Sequence, residues 1–259
     1  MTYAIISKDD IESIKIKEYL LEKLTFTYDE IRPDIVITIG GDGTILEAVQ
    51  TYINQIDNIL FVGIHTGHLG FYTNFKKKDI DLLINALYQE EYKIEQFNLL
   101  EYHFHETGNI LSGYAINEVT LSNVQSVFVF DVFINNKLFE QVRGTGLCIS
   151  TPTGSTAYNK SLHGAVVDPH LKALQLTEIA AINSNVYRSL GDSILISRHS
   201  NFKICSHNNI PSSIHFAYDH INYESQSFIA LDVKLSDKKV QFVKINNDSF
   251  FDRVRKAFL

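Results

Sequence analysis

The chain has 259 residues, 45% of them hydrophobic, so it folds around a sizeable core as one large domain or two ordinary ones. A net charge of −7 excludes a general nucleic-acid binder, which needs a basic face, but leaves room for small phosphorylated ligands held by local geometry. No run approaches the roughly 18–20 apolar residues of a membrane span. Cys148 and Cys205, the only cysteines, are far apart and lack metal spacing, so they read as reduced thiols of a cytoplasmic protein.

Residues 1–8 are apolar too briefly for a signal peptide and read as a strand containing Ile5 and Ile6. Residues 9–24 carry Ile11, Ile14, Leu20, Leu21 and Leu24 at roughly helical spacing. The run 34–39 is apolar on both faces, as a buried parallel strand should be. A helix is predicted over 44–56, a second buried strand over 59–64 and a helix over about 77–89. This makes residues 1–98 an α/β, Rossmann-like domain with a parallel sheet, whose ligand-binding loops gather at the carboxyl ends of its strands.

From about residue 99 short strands follow one another, at 99–106, 111–122, 126–134, 138–142 and 146–150, with Asn135-Asn136 as a hairpin turn. A helical segment is predicted over 155–162 and a mixed stretch over 171–182. Strands resume at 194–197, 202–206, 213–218, 227–235 and 239–245. The expected second domain, 99–245, is β-rich and β-sandwich-like, with a tail over 246–259 that packs back on the first.

The 34–39 strand ends in Gly40-Gly41-Asp42-Gly43-Thr44. Three glycines in four positions leave backbone N–H groups uncovered beside a helix N-terminus, which makes a cradle for phosphate. Asp42 would repel the anion, so it points to chemistry on a hydroxyl beside a phosphate, or to a metal ion between the charges. The second strand also ends in a glycine loop, Gly63-Ile64-His65-Thr66-Gly67-His68-Leu69-Gly70-Phe71. In Thr151-Pro152-Thr153-Gly154-Ser155-Thr156-Ala157-Tyr158-Asn159-Lys160-Ser161, hydroxyls crowd a turn. They serve either as helix caps or as a wall that hydrogen-bonds a base or ribose. Asn117-Glu118, placed within a strand, is either edge polarity or a polar pair facing a ligand. His65 with His68, and His103 with His105, lack the spacing of a zinc site and read as loop or surface histidines.

Together these segments resemble the NAD kinase family. The motifs at 40–44, 63–71, 117–118 and 151–158 match it in content, order and spacing, and the resemblance covers nearly the whole chain. GGDGT is shared with lipid kinases and phosphofructokinases, whereas TPTGSTAY is far more specific. The compact length looks like the bacterial form. The resemblance implies ATP- or polyphosphate-dependent phosphorylation of the adenosine ribose 2′-hydroxyl of NAD to give NADP. It further implies a divalent metal, Mg²⁺ carried with the phosphoryl donor and without a resident metal site, and a homotetramer with shared active sites.

Residue by residue, Asp42 corresponds to the general base and lies with Gly43 against NAD. Gly40, Gly41, Gly43, Thr44, Gly67 and Gly70 form the phosphate loops. Asn117 and Glu118 correspond to residues that hold NAD and its ribose hydroxyls. Thr156, Ala157, Tyr158, Asn159, Lys160 and Ser161 correspond to the dinucleotide pocket, Ala180 to the base pocket, and His220 to a residue given by a neighbouring subunit. Arg143 stands either for a ligand phosphate or for a surface ion pair. The family's Gly-Asp-Gly is replaced here by Gly144-Thr145-Gly146, so a carboxylate toward the cationic nicotinamide end is missing.

Three other readings compete. A sensor that lost turnover through Thr145 has no use for Asp42. A dehydrogenase would need G-x-G-x-x-G, which the turn after 34–39 lacks, and a Walker loop would need a lysine after the glycines. A lipid kinase would not carry TPTGSTAY.

Overall fold

The computed structural model describes residues 1–67, 69–123, 127–210, 212–245 and 249–259. The chain divides into two compact units, Met1–Phe97 with Lys238–Leu259, and Asn98–Asp237.

In the first unit β1 (Thr2–Ser7), α1 (Ile11–Lys23), β2 (Thr27–Tyr28), β3 (Ile35–Gly40), α2 (Asp42–Thr51), β4 (Leu60–His65), β5 (Phe75–Lys76) and α3 (Ile80–Gln89) follow in order. The strands pair in parallel in the order β2-β1-β3-β4, and β5 continues on β4. All six residues of β3 are buried, as expected of a strand with helices on both faces. Asp10 caps α1, its carboxylate accepting from the amides of Glu12 and Ser13. Helix α3 buries Ile80, Leu83, Ile84 and Leu87, the i, i+3, i+4, i+7 stripe of an amphipathic helix. It stops at Glu90, whose φ of 56° is left-handed. These side chains close a core with Ile5, Ile16, Leu20, Ile37, Ile39, Val62, Ile64 and Phe75.

The strand-rich second unit has most of β6 (Lys93–Glu106), then β7 (Asn109–Ala115), β8 (Glu118–Ser122), β9 (Phe128–Ile134), β10 (Lys137–Gly144) and β11 (Gly146–Ser150). The short helix α4 (Tyr158–Ser161) precedes β12 (Ala173–Ile179), β13 (Ile194–Ser197), β14 (Asn201–Ser206), β15 (Ser212–Tyr218) and β16 (Ile221–Lys244). One antiparallel set runs β13-β12-β11-β8-β15-β16, and a second joins β10-β9-β14 to β16, with β6 and β7 beyond it. Phe104, Phe130, Phe202, Phe216 and Phe228 fill the core, with Phe104 and Phe216 stacked at 4.5 Å between ring centroids. The β9–β10 turn is Asn135-Asn136, with φ of 51° and 62°, the backbone that asparagine tolerates best after glycine.

Several elements differ from the sequence reading. The predicted strand 111–122 breaks at Ile116 and Asn117, because the backbone there turns to meet an aspartate from another hairpin. The strands at 227–235 and 239–245 are one, β16, which runs without interruption from Ile221 to Lys244. Helix α2 begins at Asp42 and ends at Thr51, with a 3₁₀ segment following over Ile53–Asn58. The C-terminal tail holds a further helix, α5 (Phe250–Phe258), started by a capping box in which Ser249 Oγ accepts from the Asp252 amide and Asp252 accepts from the Ser249 amide. Strand residue 126 and tail residues 246–248 lie outside the described residues, as does His68.

Candidate active site

In the first unit β3 delivers Gly40 and Gly41 to the start of α2, where Asp42 is the first helical residue. No side chain caps this helix. Open space surrounds Gly41, Gly43 and Gly67 where a Cβ would sit, so their backbone stays approachable. Asp42 is half-buried and its two carboxylate oxygens are separately held: Oδ2 accepts from the Phe71 amide at 2.7 Å and Oδ1 from the Tyr72 amide at 3.1 Å. The helix N-terminus adds a favourable field for the negative charge. Gly70 has a different task from Gly41 and Gly43, because a Cβ on it would fall on the Asp42 carboxylate.

The loop that supplies those amides is itself pinned. The Gly70 amide donates to Thr73 Oγ1 and the Asn74 amide to the Gly63 carbonyl. His65 faces the Gly67 carbonyl through Nδ1 at 2.9 Å, which puts the proton on Nδ1, and its Nε2 is buried without a partner among the described residues. Thr44 follows Gly43 in the first turn of α2, its amide bonded to the Gly41 carbonyl. Sequence reasoning missed Arg253, a buried arginine of α5 that donates to carbonyls of this same loop. Its only local signal was a basic residue in a short tail; the target loop lies some 180 residues upstream.

In the second unit Asn117 and Glu118 are both buried. Asp219, in the β15–β16 turn with a φ of 50°, accepts from the amides of Ile116 at 3.1 Å and Asn117 at 2.8 Å, and its own amide donates to the Glu118 carbonyl. This aspartate also escaped the sequence reading, since its partners are 102 and 103 residues away. Burial, with the nearby Asp219 charge adding to it, pushes the Glu118 carboxyl up to about 8, and its Oε2 has no partner among the described residues. Burial likewise raises the Cys148 thiol, with Glu118 adding to it; Cys148 and Cys205 are both free and buried.

The hydroxyl-rich segment folds onto Asn117. Thr151 Oγ1 donates to the Ile116 carbonyl at 2.6 Å, Thr153 Oγ1 donates to the same oxygen at 3.0 Å, and the Thr151 amide donates to the Asn117 carbonyl. Ser155 Oγ donates to the Pro152 carbonyl and Thr156 Oγ1 to the Thr153 carbonyl. The hydroxyls of residues 151–156 are therefore spent on the backbone, so this turn is a rigid support. Beyond it Ala157 is partly exposed, Tyr158 and Ser161 are exposed, and Lys160 is partly buried. Asn159 is fully buried: its Oδ1 accepts from Thr177 Oγ1 at 2.7 Å, while Nδ2 has no partner among the described residues.

Ala180 follows β12 with a φ of 47°, a left-handed backbone rarely adopted by alanine, and is exposed. His220 is exposed in the Asp219 turn. Arg143 lies with its guanidinium 3.6 Å from the Tyr187 ring centroid, a cation–π stack that the sequence did not announce. Thr145 sits between β10 and β11, its amide bonded to the Ile179 carbonyl and its carbonyl to the Asn123 amide. His103 and His105 face Glu101 and Asp232 on the strand surface.

Comparison with known proteins matches residues 8–92 to the ATP-NAD kinase N-terminal domain and residues 116–245 to the ATP-NAD kinase C-terminal domain. A NAD kinase of Pediococcus pentosaceus is 39% identical over all of this chain and 98% of its own length. One from Geobacillus stearothermophilus is also 39% identical, over all of this chain and 97% of its own. Among solved structures, yeast NADH kinase complexed with NADH aligns with a TM-score of 0.78 at 20% identity, covering 98% of this chain and 85% of its own. A NAD kinase from Archaeoglobus fulgidus in complex with ATP aligns with a TM-score of 0.77 at 18% identity, covering 99% and 98%. The two domain matches in their order, and relatives at 39% identity along the whole length, establish that the chain belongs to the NAD kinase family of phosphotransferases.

Proposed function

We propose that the chain transfers a phosphoryl group from ATP or polyphosphate to the adenosine ribose 2′-hydroxyl of NAD, giving NADP, with Asp42 as the general base. The observation that carries this reading is the Asp42 carboxylate itself. It is held by two consecutive amides at the carboxyl end of a parallel strand, the position at which α/β folds bind ligands. A carboxylate so fixed cannot swing away from an acceptor hydroxyl, and it can take the proton as the phosphoryl group is transferred. Gly41, Gly43 and Gly67 leave backbone donors approachable for the donor phosphates, whose divalent ion, Mg²⁺, arrives with them as part of the substrate.

On this reading Asn117 and Glu118 hold the ribose hydroxyls of NAD, on a backbone fixed by Asp219 and the 151–156 turn. Tyr158 and Ser161 form the exposed lip of the dinucleotide pocket, with Ala157 and Lys160 beside them and Thr156 as its floor. Asn159 keeps the short helix in place from below, since it is buried against Thr177. Ala180 lines the base pocket, Arg143 and Thr145 lie toward the nicotinamide end, and His220 serves a neighbouring subunit of a homotetramer in the cytoplasm.

Purified protein incubated with NAD, Mg²⁺ and either ATP or polyphosphate is expected to form NADP with at least one donor. Tight NAD binding without NADP from any donor would turn the reading into that of a sensor.

A further inference from the structure

Arginine is rarely fully buried, yet Arg253 is only 7% exposed on a terminal helix. Its Nη1 donates to the carbonyl oxygens of Gly70 at 3.1 Å, Phe71 at 2.7 Å and Thr73 at 3.1 Å, and Nη2 donates to Asn74 Oδ1. The same helix packs Phe250 and Phe258 on the Phe71 ring, with centroids 6.0 and 5.8 Å away.

The Gly70 carbonyl and the Phe71 amide are the two ends of one peptide group, and the Phe71 carbonyl and the Tyr72 amide are the two ends of the next. A peptide group is planar and trans, so fixing its oxygen fixes the direction of its N–H. Arg253 binds both oxygens; Asp42 accepts from both N–H groups. The guanidinium and the carboxylate thus hold the same two peptide groups from opposite ends. A cation on the oxygen side also polarises each peptide, which strengthens its N–H as a donor.

We propose that Arg253 is a positioning residue for Asp42, acting through these two peptide groups, so that the C-terminal helix sets the direction of the catalytic carboxylate. The proposal rests on Asp42 being the general base. Lysine at 253 keeps the charge but has a single nitrogen on a shorter side chain, so it loses the Nη2 hold on Asn74 Oδ1 that orients Nη1 toward the three carbonyls.

The test compares Arg253→Lys, Arg253→Met and Asp42→Asn, with Arg253→Lys also placed in the Asp42→Asn background. It measures kcat, KM for NAD and the thermal midpoint. Arg253→Lys is expected to lower kcat by roughly ten- to a hundredfold, the usual cost of a small misplacement at a reacting group. KM for NAD should stay within about twofold, because the NAD-holding residues are untouched. Added guanidinium ion should restore part of the kcat of Arg253→Met. In the Asp42→Asn background the lysine change should cost little more, since two residues acting on one step are not additive. A folded Arg253→Lys with full kcat, or one whose loss is equally large without the Asp42 carboxylate, overturns the proposal. Should the Arg253 variants fail to fold, Asn74→Ala, which removes one acceptor of the same guanidinium, decides by the same kcat and KM readings. Full turnover by Asp42→Asn alone would instead remove the general-base reading, whatever Arg253 does.

Discussion

The carbonyl group of Asn117 occupies the space into which a Cβ at position 154 would project. Gly154 is thus a close-approach glycine: it lets the 151–156 turn lie directly on the backbone that presents Asn117 and Glu118. Because a Cβ is fixed by its own backbone and here meets only backbone atoms of Asn117, no side-chain rotation relieves the collision. Gly154→Ala is expected to cost about 1–3 kcal/mol, the range for overpacking a close-packed interior. At roughly 2–4 °C per kcal/mol for a chain of this size, the thermal midpoint should fall by several degrees. KM for NAD should rise with it, which steady-state kinetics on the folded variant can check.

Asp42 tests the chemistry most directly. Asn in its place can accept from one of the Phe71 and Tyr72 amides, but it turns an N–H₂ toward the other. General-base assistance is worth about 10²–10⁴ in rate, and the expected loss in kcat is at least of that order while NAD binding persists. The donor–donor conflict adds an unsatisfied amide, worth about 1–3 kcal/mol of stability. A variant with near-normal turnover would sink the assignment.

Glu118 gives the fold a pH dependence of unusual sign. Its carboxyl ionises at an ordinary value of 4.5 when unfolded and at about 8 when folded, because burial disfavours the charge. Between these values the folded state binds the extra proton, so this group's contribution is intact at low pH and is lost as pH rises to about 8. The slope approaches about 1.4 kcal/mol per pH unit in that window. Glu118→Gln should remove it, leaving a flatter profile and a more stable protein at pH 8 than the parent. Denaturant titrations at pH 5, 6.5 and 8 measure this; identical slopes for the two proteins would contradict it.

The Thr145 position predicts a gain. Its amide and carbonyl already bond to Ile179 and Asn123, so the backbone does not depend on the side chain. Thr145→Asp introduces the carboxylate that the family resemblance leads one to expect there and is expected to tighten NAD binding by about tenfold, or ~1.4 kcal/mol. The gain should be confined to oxidised NAD, whose nicotinamide is cationic, and absent for NADH. Calorimetric titration with both dinucleotides separates a charge effect from a change of shape.

Local sequence was enough for the elements whose stabilisation is local. The apolar run at 34–39 could only be a buried strand. Asn135-Asn136 was legible as a hairpin because the turn chemistry sits in the two residues that adopt it. The motifs at 40–44, 117–118 and 151–158 disclosed the family and the candidate site residues, since a glycine loop and an acid within it carry their chemistry in their spacing. Sequence could not disclose what holds those residues in place. Asp219 fixes Asn117 from about a hundred positions away, and Arg253 reaches the Asp42 loop from the other end of the chain. Neither contact has a local period, because each satisfies backbone groups that only the folded chain brings within reach. The hydroxyls of 151–156 make the same point in reverse: their number invited a ligand-binding role, and tertiary packing spent them on the Ile116, Pro152 and Thr153 carbonyls. The chain alone determined the family and the side chains proposed to carry the chemistry; the fold decided how Asp42 is held and how Glu118 is protonated, because both depend on burial and on partners remote in sequence.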